Sequence, residues 1–117
     1  MLPKQYRLKK RSAFNATYKV KNSVHKSGIT LFAGKEKNNV DELTKVGFVV
    51  SKKTHKRAVK RNRLKRLMRE SYRLILKSNE LYNSQKYMSL IFVGHEHALN
   101  KNFDEINIII KTLLERL

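Results

Sequence analysis

The sequence predicts an α/β (α+β) fold, a two-layer sandwich of a small sheet and helices. Three observations carry this. Period-two alternation of apolar residues marks strands over residues 28–34 and 44–51. A long helical pattern over residues 58–77 separates the second of these from a third strand over residues 87–93. That third strand, Tyr87-Met-Ser-Leu-Ile-Phe-Val93, is dense in apolar residues, as a central strand covered on both faces must be. If the second and third strands lie parallel, the long helix is a crossover connection.

In chain order, Ser12 can cap a short helix over residues 13–20, with Phe14 and Tyr18 on one face. The first strand places Ile29, Leu31 and Ala33 on one side and Thr30 and Phe32 on the other. Residues 35–43 (KEKNNVDEL) are polar and read as a hairpin connection. In the second strand Val46, Phe48 and Val50 face together, and after the long helix a polar connector runs to Gln85. A final helix over residues 102–117 aligns Phe103, Ile106, Ile110, Leu113 and Leu117 in one stripe. There is no internal repeat and no low-complexity tract.

A length of 117 residues suits one domain with a modest core. The absence of Cys excludes disulfides, thiolate zinc sites and a cysteine nucleophile, and it fits a reducing cytoplasm. Residues 1–10 are basic without the apolar core of a secretory signal, and no stretch is long and apolar enough for a transmembrane helix. The expectation is a soluble, cytoplasmic protein.

Charge points to the partner. Lys and Arg number 27 against 9 Asp and Glu, a net charge of +18 with an isoelectric point near 10.4. Such a field resists compaction unless an anion relieves it, and nucleic acid is the usual anion at this size. No acid precedes Glu36, and the run from Lys52 to Arg73 is opposed only by Glu70. Residues near the C-terminus are closer to balance, so that segment reads as structural.

With Leu64 as reference and 100° per residue, Leu67, Met68, Ser71 and Ile75 fall on one face of the long helix, the face for the sheet. Asn62, Arg66, Arg69 and Arg73 cluster opposite, flanked by Arg63 and Lys65. They form a rail roughly 16 Å long. Guanidinium forks match phosphate oxygens, and an amide can both donate and accept. A solvated face would mix charge signs for pairing, and this one does not. Elsewhere, Phe14, Tyr18 and Phe32 could form an aromatic patch for unpaired bases, bordered by Lys10, Arg11 and Lys19. Periodicity alone favours core packing for all three.

Val50-Ser-Lys-Lys53, Ala58-Val59 and Arg61-Asn-Arg-Leu-Lys-Arg-Leu-Met-Arg-Glu70 closely resemble the signature of the bacterial ribonuclease P protein family. Tyr6-Arg-Leu-Lys-Lys10 with Phe14, and Lys45-Val-Gly-Phe48, extend the resemblance. It implies one RNA-binding domain over residues 1–117, a mixed sheet with helices on one side, and an unusual left-handed βαβ crossover. It further implies a subunit of the endoribonuclease that binds a catalytic RNA and the 5′ leader of precursor tRNA, assisting removal of the leader. The catalytic centre and its Mg2+ belong to the RNA, so the chain supplies no catalytic residue, metal site or cofactor of its own. Neither a membrane nor a protein partner is implied.

By this resemblance Lys52, Lys53, Arg57, Arg61, Asn62, Arg63, Lys65, Arg66, Arg69 and Arg73 contact RNA, and Phe14, Tyr18 and Phe32 line the leader cleft. Two departures stand out. Thr54-His-Lys-Arg57 lacks a glycine common in that loop, and Val93-Gly-His95 stands where many members carry an arginine.

Rival readings are a protein-only nuclease, a ribosomal protein or RNA chaperone, and a membrane-active helix. His95-Glu-His97, with His25 or His55, could suggest a metal, but two His at i, i+2 lack a convergent third ligand. The ribosomal reading shares charge and size but does not explain the RNR-x-KR-x-x-RE helix, and the membrane reading lacks interfacial Trp.

Overall fold

Ser27 and Gly28 both take positive φ, 49° and 90°, the geometry of a tight hairpin turn with the twist of its flanking strands. The turn joins β1 (Asn22–Lys26) to β2 (Ile29–Ala33) in antiparallel register, Val24 opposite Leu31. β1 has no counterpart among the strands expected from sequence. Its residues, Asn-Ser-Val-His-Lys, are mostly polar because it is an edge strand paired on one side only.

The chain is seen in a computed structural model that describes residues 2–39, 41–78 and 82–117. Residue 40, inside the expected hairpin connection, and residues 79–81, inside the expected polar connector, lie outside the described residues.

β3 (Lys45–Val49) and β4 (Ser89–Gly94) complete a mixed sheet in the order β1-β2-β4-β3. β4 runs antiparallel to β2 and parallel to β3, with Leu90, Ile91 and Phe92 all fully buried, as its central place requires. Residues 35–43 therefore do not close a hairpin between neighbours. They carry the chain past the site of β4, which inserts between β2 and β3. The N-terminal segment lies along the outer edge of β3, where the Leu8 N–H donates to the Val46 carbonyl at 2.9 Å.

α1 (Arg11–Lys19) starts earlier than expected. Its N-cap is Lys10, and Ser12 lies inside the first turn, where it caps nothing. α2 (Ala58–Lys77) has the bounds read from sequence and links β3 to β4. α3 (Phe103–Arg116) is capped by Asn102, whose side chain accepts from the Glu105 N–H at 2.9 Å while the Glu105 carboxylate accepts from the Asn102 N–H at 3.2 Å.

The core lies between the sheet and the pair α2 and α3. Leu64, Met68, Tyr72 and Ile75 meet Ile106, Ile110 and Leu113 over Ile29, Leu31, Leu90 and Phe92. α3 buries Ile109 and Leu114 as well, a broader face than one stripe, because it packs on both α2 and the hairpin. Phe103 and Leu117, expected in the stripe, are half-buried at its ends.

α2 and α3 share one face of the sheet, as expected, whereas α1 covers the opposite face. A side chain at Gly47 would collide with Phe14, and the Thr17 hydroxyl reaches Ser89 at 2.6 Å, both on the side of the sheet turned away from α2. Small residues along α1 and at Gly47 permit this second layer.

The crossover has a hand. The Ser89 carbonyl points to β2 (Gly34 N–H, 2.9 Å) and the Met88 carbonyl to β3 (Lys45 N–H, 3.1 Å). With Leu90 and Phe92 facing α2, L-chirality makes β3–α2–β4 left-handed, against the strong right-handed rule.

Candidate nucleic-acid interface

α2 enters from a loop carrying Lys52, Lys53, Lys56 and Arg57, all exposed. The helix has no acid in its first turn and no side-chain cap, so its free N–H groups and positive dipole end add to this charge. Along the outer face Asn62 and Arg66 are exposed, and Lys65 and Arg69 are half-exposed. The Arg69 guanidinium stands over the Phe48 ring, 6.0 Å from its centre. Phe48 stacks on the buried Phe92 at 5.6 Å with planes 8° apart.

Three of the expected contact residues already make hydrogen bonds within the chain. Arg61 donates to the carbonyls of His55 and Lys56 at 2.7 and 2.8 Å, fastening the loop to the helix. Arg63 turns the other way and donates to the carbonyls of Leu99 and Lys101 at 3.0 and 3.1 Å. Arg73 pairs with Glu70, and the hydrogen bonds from its guanidinium hold the Glu70 carboxyl below its usual range and raise Arg73. Among the described residues no side-chain hydrogen bond or ion pair engages Lys52, Lys53, Arg57, Asn62, Lys65 or Arg66, and Arg69 is propped on Phe48.

Phe14, Tyr18 and Phe32 do come together, on the opposite face of the sheet. Tyr18 meets Phe32 edge-on with ring centres 4.9 Å apart, and Phe14 lies over Gly47. All three are half-buried, so they are not core residues of the kind periodicity favoured. Burial pushes the Tyr18 hydroxyl pKa up. Val49 and Val93 face the same side and are also half-buried. The loop of residues 51–57 leaves β3 just beyond Val49 and returns on the other face as α2, so Lys52 and Lys53 stand between the two surfaces.

One cluster escaped sequence reasoning. Thr30 Oγ1 lies 2.8 Å from His25 Nδ1 and 3.0 Å from His95 Nε2, on the same sheet face as Phe32. Burial, then the nearby His25, lowers the His95 pKa. Its signal was the hairpin itself, which sets His25 opposite Thr30. No group of three or more His, Cys, Asp or Glu that could hold a metal exists among the described residues.

The Ribonuclease P family model matches residues 2–117. The ribonuclease P protein component of Clostridium kluyveri is 34% identical over 111 residues, 95% of this chain and 93% of the relative. That of Clostridium novyi is 35% identical over 115 residues, covering 98% and 96%. Among solved structures, the RNase P protein of Staphylococcus aureus superposes with a TM-score of 0.74 at 25% identity, covering 95% and 94% of the two chains. The RNase P protein of Thermotoga maritima shares the fold, with a TM-score of 0.76 at 20% identity over 95% and 96%. With a family match over nearly its whole length, and relatives of its own size, this chain belongs to the ribonuclease P protein family.

Proposed function

We propose that the chain works as a single RNA-binding domain, the protein subunit of ribonuclease P, and assists the endonucleolytic removal of the 5′ leader from precursor tRNA. The outer face of α2 and the loop of residues 51–57 hold the catalytic RNA by phosphate contacts. The Phe14, Tyr18 and Phe32 cleft takes the single-stranded leader by stacking. Hydrolysis of the phosphodiester, with its Mg2+, is assigned to the RNA, and the chain contributes charge and position. The site of action is the cytoplasm; among the described residues no helix is long and apolar enough to cross a membrane.

The observation that carries this reading is the two-faced arrangement. A helix face of nearly one charge sign and a half-exposed aromatic trio occupy opposite sides of one thin sheet, joined by the Lys52–Lys53 loop. A protein so built can grip one RNA while a second strand lies in the cleft.

Cleavage of precursor tRNA at low Mg2+ tests it, with cognate catalytic RNA alone, protein alone, and both. Cutting at the 5′ junction only in the mixture is the expected result. Cutting by protein alone would place the chemistry in this chain, and no effect of added protein would assign the basic helix to another RNA, such as that of the ribosome.

A further inference from the structure

α1 has two unlike flanks. Phe14 and Tyr18 face the aromatic cleft, whereas Ala13 and Ala16 face the other way and leave space. That space is a groove of 440 Å3 whose apolar wall includes Leu8, Leu43 and Met88. Leu43 and Met88 are each 45% exposed, large apolar side chains left open among the described residues. A second hollow of 270 Å3 adjoins the groove and shares Leu8, Ala13 and Lys45 with it. Its walls carry Lys4, Arg7, Lys9, Lys10 and Lys45. No carboxylate of the described residues lies within ion-pair distance of any of these five cations. Arg7 Nε donates to the Leu2 carbonyl at 3.0 Å, which leaves its terminal nitrogens available.

We propose that this double hollow binds an unpaired nucleotide, with the base on the apolar wall and the phosphate among the lysines. It is separate from the basic helix face and the aromatic cleft, since it lies on the far flank of α1 from the cleft and on the far sheet face from α2. Each hollow is near or within the size range of small-ligand sites, about 300–1,000 Å3. Cations unmatched by acids beside an apolar wall fit a ligand with one anionic end and one flat apolar end. Among the described residues Glu42 is the one acid on either wall. Its carboxylate only accepts hydrogen bonds, which suits an exocyclic amino group better than the N3–H of uracil, flanked by two carbonyl oxygens that repel it. The nucleotide comes either free or from an RNA strand, and both share this chemistry.

Methyl NMR on the full chain tests the site, with adenosine 5′-monophosphate, uridine 5′-monophosphate, pentaadenylate and inorganic phosphate as separate titrants at about 0.15 M salt. The adenine ligands should shift the Ala13, Ala16, Leu43 and Met88 methyls saturably, with uridine monophosphate about fivefold weaker. Ala16→Leu fills the groove from an exposed helix position and should weaken adenosine monophosphate binding about tenfold or more with the thermal transition unchanged. Lys45→Gln, which leaves the groove open, should also weaken it, and Glu42→Gln should erase the discrimination against uridine. Pentaadenylate binding more than about tenfold tighter than the monophosphate would assign the site to an RNA strand, and equal binding to a free nucleotide. The proposal is overturned if the methyls stay still with every nucleotide, if phosphate alone reproduces the shifts, or if only the Val49 and Val93 methyls beside the aromatic cleft respond. These readouts need no catalytic RNA, so they stand or fall separately from precursor cleavage.

Discussion

Arg69 holds its guanidinium carbon 6.0 Å from the centre of the Phe48 ring, and Phe48 in turn stacks on the buried Phe92. A long side chain that would otherwise sample many rotamers is thereby given a platform continuous with the core. A side chain so held would lose less entropy on meeting a phosphate.

Arg66→Ala and Arg69→Ala should each weaken binding to the catalytic RNA and lower the salt slope by roughly 0.7–0.9 for every phosphate no longer neutralised. Filter binding across a salt series measures this. An unchanged slope would mean that the side chain does not meet a phosphate.

Arg63→Ala should behave differently. Its bonds to the Leu99 and Lys101 carbonyls join α2 to the start of α3, and bonds from a charged donor are worth roughly 1.5–3 kcal/mol each. The expected result is a lower thermal midpoint with little change in salt slope. Circular dichroism melting beside the binding series separates the two effects.

Phe14→Ala should reduce affinity for leader-bearing precursor by about 1–3 kcal/mol and spare mature tRNA. Equal losses on both substrates, measured by competitive binding, would remove the leader from this cleft.

Acid should loosen the end of the sheet where His25 and His95 flank Thr30. The lowered pKa of His95 means that the folded chain favours its neutral form. The stability it contributes is present above the unfolded value of 6.5 and is lost as pH falls through the lower folded value. Melting between pH 7.5 and 5 (about the histidine range) should show a steeper decline for the parent chain than for His95→Gln.

Lys21 closes α1 at φ 61°, a left-handed position that a side chain disfavours by roughly 1–2 kcal/mol. Lys21→Gly should raise stability by up to about 1 kcal/mol, read from denaturant unfolding.

The long helix was legible because its period is unbroken from Ala58 to Lys77. The central place of β4 was legible from its run of apolar residues. β1 was not, since an edge strand needs few apolar residues, although Ser27-Gly28 marked its turn. The insertion of β4 between β2 and β3 has no local signature, so residues 35–43 read as a hairpin. At the site, the sign of the charge was plain. Which guanidiniums turn inward was not, because the carbonyls that hold Arg63 lie 36 and 38 residues further on. A helical wheel places a side chain on a flank and says nothing of what waits there.

The strand order also sets a timetable for synthesis. β4 follows the other three strands in the chain and is the one that both of its neighbours require, so β2 and β3 lack their shared partner until Gly94 has left the ribosome. The face beneath α2 closes later still, when α3 emerges with Ile106, Ile110 and Leu113. Throughout that interval the cationic α2 segment is already complete. The nascent chain therefore presents its densest run of positive charge before it has a core.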